Sequence, residues 1–206
     1  MNAFRPPGSG SVDACIVIAN QNQGTLLERC MRSCIGQTFP GRFHEVLVAD
    51  AGSRDFSREV IRAYGNRVLP ILLDPPSTLE EAATAALRKA DGRYVLQVRA
   101  QDFISDYMVL FQAIWLYQNY EYDGVCVDYW LVEPESDSKT QRVSALEKPC
   151  PYGTMYRKEI LVREGLYEPA RGPWDAEKLQ KELAKKCRIG HIPIPFYRYQ
   201  LERPTT

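Results

Sequence analysis

The chain has 206 residues, enough for one domain with a sizeable core and too few for two ordinary ones. Hydrophobic residues at 45% and charged residues at 25% exclude a disordered or fibrous chain. Lysine plus arginine equals aspartate plus glutamate, 26 against 26, which removes the electrostatic footprint of a dedicated nucleic-acid or anionic-membrane binder.

Residues 1–12 are rich in proline, glycine and serine and lack the apolar stretch of a secretory leader. They are expected to form a flexible N-terminal segment before a single domain over residues 13–206. No apolar run approaches the ~20 residues of a bilayer span, so a cytoplasmic protein with no transmembrane segment is expected. Ala14 to Ala19 is continuously apolar, as a strand covered on both faces should be. Thr25 and Glu28 have capping-box spacing, and Leu26, Leu27, Cys30, Met31, Cys34 and Ile35 recur at helical spacing up to Gly36. The six cysteines include no C-x-x-C pair and there are two histidines, so no zinc site is expected. Cys30 and Cys34 read as buried, reduced packing residues.

Glu45 to Ala49 is the second predicted strand, Asp50-Ala51-Gly52-Ser53 a turn, and the next helix points Val60, Ile61 and Tyr64 inward and stops at Gly65. A third strand, Val68 to Leu73, runs into Asp74-Pro75-Pro76-Ser77, and Thr78 with Glu81 caps an alanine-rich helix through Lys89. Tyr94 to Val98 is the fourth strand, followed by the polar turn Arg99-Ala100-Gln101-Asp102. Asp106 to Asn119 follows as a long helix with Met108, Phe111, Ile114 and Trp115 on one side. This alternation of strand and helix is the signature of βαβ units and a mainly parallel sheet. Further on, Val125 to Val132 alternates like a half-buried strand, and Glu133 to Arg142 is expected to be an exposed, mobile loop. Tyr152 to Tyr156 reads as a short strand, Lys158 to Arg163 as a short helix stopped by Gly165, and Trp174 to Cys187 as a helix. His191 to Tyr199 closes the chain as a strand whose two prolines suggest a sheet edge.

Ligands of open α/β sheets bind outside the carboxyl ends of the parallel strands, so the turns after those strands are where chemistry is expected. They carry Asn20-Gln21-Asn22, Asp50-Ala51-Gly52-Ser53, Pro75-Pro76-Ser77 and Arg99-Ala100-Gln101-Asp102. Asp50, beside Gly52, either accepts hydrogen bonds from a base or ribose or caps the next helix, a task Ser53 or Asp55 could also perform. The first turn has a single glycine, Gly24, which excludes the G-x-G-x-x-G fingerprint of a nicotinamide enzyme; a Walker loop and a G-x-S-x-G elbow are also absent.

The order of these motifs resembles the family 2 glycosyltransferases of the GT-A fold, inverting enzymes that use nucleotide-sugar donors. Ala14 to Asn22 is similar to the family's first strand and its Pro-x-Tyr-Asn turn, with Asn22 kept and Ala19 where proline is usual. Ser33 to Pro40 resembles Ser-x-x-x-Gln-Thr-Tyr-Pro, and His44 to Asp55 resembles a strand followed by Asp-x-Gly-Ser-x-Asp. Ala90 to Val95 resembles the Ala-x-Gly-x-Tyr-Ile lead into the metal-binding strand. Gly153 to Gly165 is similar to the acceptor-side Gly-x-x-x-Arg-Arg-Glu segment, and Pro195 to Tyr199 to the closing Pro-Leu-Tyr-Arg-Tyr strand. The resemblance implies a Rossmann-like α/β fold whose mainly parallel central sheet is flanked by helices.

It also implies residue roles. Asp50 would bind the nucleobase, a uracil N3–H, with Ala19, Gln21, Asn22 and Ser53 shaping the pocket. The family's Asp-x-Asp, which holds a divalent metal on the donor diphosphate, falls on Arg99-Ala100-Gln101, and Asp102 is the sole acid kept there. Loss of those carboxylates disfavours Mg²⁺ or Mn²⁺ as cofactor. Arg99 then either neutralises the leaving diphosphate or pairs with Asp102. The helix after the third strand, where the family commonly carries a glycine and an Arg-Asn pair near the diphosphate, here reads Thr78 to Thr84, acidic and apolar. Asp175 keeps the place of the base that deprotonates the acceptor hydroxyl, while Gly153 and Trp174 lie on the acceptor side, Trp174 stacking on a sugar or packing in the core.

The expected activity is transfer of a sugar from a UDP-sugar donor to a glycan or lipid-linked acceptor hydroxyl, with inversion and without a metal. The alternative is a catalytically inactive GT-A domain that binds nucleotide sugars or glycans as an assembly module. A polysaccharide-biosynthesis role and a homo-oligomer are compatible with either; a nucleic-acid partner is not expected.

Overall fold

The computed structural model describes residues 14–37, 44–134, 136–150, 152–164 and 182–201. In chain order these form β1 (Ala14–Asn20), α1 (Gly24–Ile35), β2 (His44–Ala51), α2 (Ser57–Ala63), β3 (Leu69–Leu73) and α3 (Leu79–Lys89). There follow β4 (Tyr94–Arg99), β5 (Phe103–Ile104), α4 (Met108–Gln118), β6 (Gly124–Val132), β7 (Lys139–Val143), β8 (Met155–Arg157), α5 (Lys158–Arg163) and β9 (Ile189–Gln200). One sheet carries the order β3-β2-β1-β4-β8-β6-β9-β5, with β7 added on β6. Its first four strands are mutually parallel, and β8 runs antiparallel between β4 and β6.

Both faces of β1 are covered, which is why its sequence is apolar without alternation. Ala14, Ile16 and Ile18 pack in one core with Leu27, Cys30, Met31 and Cys34 of α1 and with Met108, Val109 and Leu116 of α4. Cys15 and Val17 point the other way, into a second core with Ala82, Ala86 and Leu87 of α3 and Ile160 and Leu161 of α5. Ile16 and Ile18 are fully buried, and each such side chain contributes about 1.5–3 kcal/mol of transfer free energy. The small residues of α3 let that helix lie close to β1 and β2. All six cysteines are buried and free, including Cys30 and Cys34, which were expected to be buried packing residues.

The helix ends follow local chemistry. Thr78 and Glu81 form the expected capping box on α3: Thr78 Oγ1 accepts from the Glu81 N–H at 3.2 Å and Glu81 Oε2 from the Thr78 N–H at 2.9 Å. The box expected at Thr25 and Glu28 does not form, because α1 begins at Gly24 with Gln23 as its N-cap, two residues before Thr25. A carboxylate distant in sequence stands in: Asp55 Oδ2 accepts from the Gly24 N–H at 2.9 Å, and its Oδ1 accepts from the Ser57 N–H that opens α2.

Three further expectations are refined or corrected. Helix α4 buries Met108, Val109, Gln112, Ala113 and Leu116, leaving Phe111 and Ile114 at 48% and 38% exposure. The helix carries no charge to orient it, and its rotation is pinned by Gln112, whose amide donates to the Val125 and Gly153 carbonyls at 3.2 and 2.7 Å. The segment from Glu133 to Arg142 is not simply a loop: β7 pairs antiparallel with β6. Four of its five residues face solvent, so polar composition concealed a charged, exposed edge strand. Strand β9 lies between β6 and β5 rather than at the rim, and its prolines sit where the register with β6 shifts, around Asp128. Residues 182–186 of the predicted helix from Trp174 are helical; its earlier part, the N-terminal segment and Gly165 lie outside the described residues.

Candidate functional site

Strand order reverses direction between β1 and β4: the connections from β1 run outward to β2 and β3, and the chain then returns to the far side of β1 as β4. At such a switch point the loops leaving the two strands diverge and open a crevice at their carboxyl ends. An open cleft occupies that place. It is lined by Ala19 near the end of β1, Gln21 and Gln23 after it, Leu79 and Glu80 at the start of α3, Gln97 to Gln101 at the end of β4 and just beyond it, and Tyr152.

The predicted site residues divide into lining and support. Ala19, Gln21, Arg99 and Gln101 line the cleft. Asn22, Asp50, Ser53 and Asp102 are not among its lining residues. Gln21 is held from both sides, donating through Nε2 to the Ala51 and Ser77 carbonyls at 3.0 Å each. Asn22 takes a left-handed backbone, φ 53°, and its Oδ1 accepts from the Arg54 N–H at 2.8 Å. Gly52, at φ 71°, tolerates no side chain, since a Cβ would lie 2.9 Å from the Pro75 nitrogen.

Asp50 pairs across the ladder with Asn20 and is fully buried. Its Oδ1 accepts from Asn20 Nδ2 at 2.8 Å and from the Ser53 hydroxyl; its Oδ2 accepts from the Ser53 N–H at 3.0 Å and Arg58 Nε at 2.8 Å. Burial alone would raise this carboxyl, but these hydrogen bonds hold it below the usual carboxylate range. All four lone-pair directions are engaged, so Asp50 fixes the β1 and β2 turns against each other rather than facing the cleft.

Arg99 is held the same way. Its Nε and Nη2 donate to the two oxygens of Asp102 at 2.7 and 2.9 Å, and Nη2 also reaches the Gln200 carbonyl at 3.0 Å. The guanidinium lies 3.8 Å from the centre of the Tyr199 ring and 5.4 Å from that of Tyr152. Burial works against its charge, but the Asp102 carboxylate outweighs burial and keeps the guanidinium protonated. Asp102, with no exposed surface, also accepts from the Tyr197 hydroxyl at 2.5 Å and the Gln200 N–H at 2.8 Å. The pairing of Arg99 with Asp102, one of the two alternatives for this arginine, is therefore present, and Arg99 Nη1 is left without a hydrogen bond among the described residues. Arg29 braces the same corner, donating to the Gln101 carbonyl at 2.8 Å and to Gln200 Oε1 and Asp137.

These side chains do not fit a divalent cation. Both oxygens of Asp102 are taken by Arg99, Tyr197 and Gln200, and a guanidinium stands at the first ligand position. Among the described residues no cluster of three or more His, Cys, Asp or Glu could hold a metal. On the acceptor side Gly153 has φ 81° and donates to the Gln97 carbonyl at 3.2 Å; a Cβ there would collide with the Tyr197 ring. Trp174 and Asp175 lie outside the described residues. Leu79 and Glu80 fall in the Thr78 to Thr84 stretch that the resemblance sets near the diphosphate, whereas Gln23, Gln97, Val98 and Tyr152 were not anticipated; the signal for Gln97 was a lone amide inside the apolar run of β4.

A curled, mainly parallel sheet with helices on both faces and a polar cleft at its switch point is the architecture of a GT-A domain. The sequence pattern described as Glycosyl transferase family 2 matches residues 15–172, more than half of the chain, and the chain belongs to that family. Comparison with curated protein sequences finds no match. Among solved structures, the chain is similar to S. aureus TarS, with a TM-score of 0.74 at 18% identity over 92% of this chain and 37% of that one. It is likewise similar to residues 1–349 of S. aureus TarS in complex with UDP-GlcNAc (TM-score 0.73, 17% identity, 94% and 60% coverage). A third is the mannosyltransferase PcManGT from Pyrobaculum calidifontis in complex with GDP-Man and Mn²⁺ (0.69, 16%, 95% and 59%). The chain thus spans between about a third and three-fifths of the length of these proteins. Nothing in these likenesses favours the inactive alternative. Among the described residues no helix is long and apolar enough to cross a membrane.

Proposed function

We propose that this domain transfers a hexosyl group from a nucleotide-sugar donor, a UDP-sugar, to an acceptor hydroxyl with inversion, and that Arg99 does the electrostatic work a metal does in relatives with an intact Asp-x-Asp. The observation that carries this is a guanidinium fixed in the cleft floor by a buried carboxylate, with one amino group still unbonded. The nucleoside lies toward Ala19 and Gln21, whose turn Asp50 holds in shape through Asn20 and Ser53. The diphosphate reaches Arg99. Asp175 removes the proton from the acceptor hydroxyl, whose oxygen attacks the anomeric carbon. The bond from that carbon to the diphosphate oxygen breaks, and the leaving nucleoside diphosphate carries away the electron pair. Arg99 Nη1 hydrogen-bonds the negative charge that develops there, a contact stronger in the transition state than in the ground state. The acceptor is a glycan or lipid-linked hydroxyl.

The test is sugar release from UDP-, GDP- and dTDP-sugars, measured with Mn²⁺ and with EDTA, for the wild type and for Asp175→Asn. Turnover of a UDP-sugar that persists in EDTA and disappears in Asp175→Asn, with UDP binding unchanged, is the expected result. Strict dependence on Mn²⁺ contradicts the role given to Arg99, and full activity of Asp175→Asn contradicts the role given to the base.

A further inference from the structure

Within β4 the residues from Tyr94 to Val98 are apolar except Gln97. A lone amide among the apolar residues of an inner strand calls for a physical reason, and here its side chain opens onto the cleft. Gln97 is partly buried and lines the cleft, and among the described residues its carboxamide has no hydrogen-bond partner. Gln112 and Gln21 are each tied to two carbonyls, whereas Gln23 and Gln101, half-buried at the same cleft, share with Gln97 the lack of a side-chain hydrogen bond among the described residues but lie in turns rather than in an apolar strand. The backbone of Gln97 is occupied: its carbonyl accepts from the Gly153 N–H at 3.2 Å, which joins β4 to the segment on the acceptor side. Its side chain shares a strand face with Arg99, two residues on, and the cleft wall with Tyr152.

We infer that Gln97 is a specificity-determining residue that hydrogen-bonds a hydroxyl or acetamido substituent of the transferred sugar. The inference rests on the donor reading above, and the chemistry places the sugar. Its anomeric carbon is bonded to the diphosphate and attacked by the acceptor from the opposite side, so the ring must lie between Arg99 and the Gly153 segment. Gln97 stands at that seam. Its neutral amide both donates and accepts, which suits an uncharged polyol or acetamide and gives nothing to a diphosphate that a solvent water does not give equally.

Titration calorimetry distinguishes the possibilities. UDP-GlcNAc, UDP-glucose and GDP-mannose are each compared with the corresponding free nucleoside diphosphate, for the wild type, Gln97→Met and Gln97→Ala. Methionine keeps the length of the side chain and removes its hydrogen bonds, and affinity for the free diphosphate reports that the domain is folded. The expected result is that the sugar nucleotide preferred by the wild type binds both variants about three- to tenfold more weakly while the free diphosphate binds unchanged. An equal loss for both ligands, or no loss for either, overturns the role of Gln97 and leaves the donor reading standing. No binding of any nucleotide by the wild type overturns both.

Discussion

Replacing Asp102 by asparagine tests how firmly the cleft floor is built. The substitution keeps the volume of the side chain and removes its charge, leaving the Arg99 guanidinium, whose side chain is 13% exposed, without the counter-ion that both of its donating nitrogens engage. Removing one member of a buried pair costs about 3–5 kcal/mol, mostly because the remaining charge stays desolvated. With a urea dependence of about 2 kcal/mol per molar, the unfolding midpoint of Asp102→Asn should fall by about 1.5–2.5 M. Arg99→Met alone leaves Asp102 buried beside Tyr197 and Gln200 and should also destabilise the fold. The double variant removes both charges, so its loss should be smaller than the sum of the single losses by about 0.5–3 kcal/mol. A midpoint shift under about 0.5 M for Asp102→Asn, or strict additivity in the cycle, refutes the reasoning that this pair is locked and desolvated.

Asp50→Ala removes the acceptor that ties Asn20, Ser53 and Arg58 together and should abolish UDP binding in calorimetry; retained affinity means the nucleoside end of the cleft lies elsewhere. Gly190→Ala would place a Cβ 1.9 Å from Trp115 Cη2. The melting temperature of that variant should drop by about 3–10 °C, and an unchanged value contradicts the packing of α4 on β9. Asp128 accepts from Arg142 Nη2 at 2.8 Å and the Ala145 N–H at 3.1 Å and lies 2.7 Å from His191 Nε2. Burial would raise its carboxyl, yet these partners hold it below the ordinary range. A depressed carboxyl stabilises the fold fully above its unfolded value of about 3.9 and loses that contribution as pH falls through the lower folded value. The stability difference between the wild type and Asp128→Asn should therefore be full at pH 7 and shrink below about pH 4; a gap that does not change with pH refutes the ionised pairing.

What could be read in advance followed from local chemistry. The continuous apolar runs of β1 and β2, the capping box at Thr78 and Glu81, and α5 from Lys158 to Arg163 each depend on neighbours in sequence, and the structure keeps them. Long-range contacts were less visible. The start of α1 is capped by Asp55, which no i to i+3 pattern can reveal. The orientation of α4 is decided by carbonyls of Val125 and Gly153 that Gln112 meets only after folding. Strand β7 hid behind its own exposure, since the polar residues that signal a loop also signal a solvated edge. In the cleft, strand ends located Ala19, Gln21, Arg99 and Gln101. Spacing did not reveal that the four acceptor directions of Asp50 would be used internally, or that α3 would bring Leu79 and Glu80 to the opposite wall.

The most direct measurement is a crystal structure of the protein grown with a non-hydrolysable UDP-sugar and Mn²⁺. The account predicts the β-phosphate within hydrogen-bonding distance of Arg99 Nη1, with the pair to Asp102 intact and no manganese between them. A manganese ion coordinated by Asp102, or a diphosphate bound away from the end of β4, contradicts it.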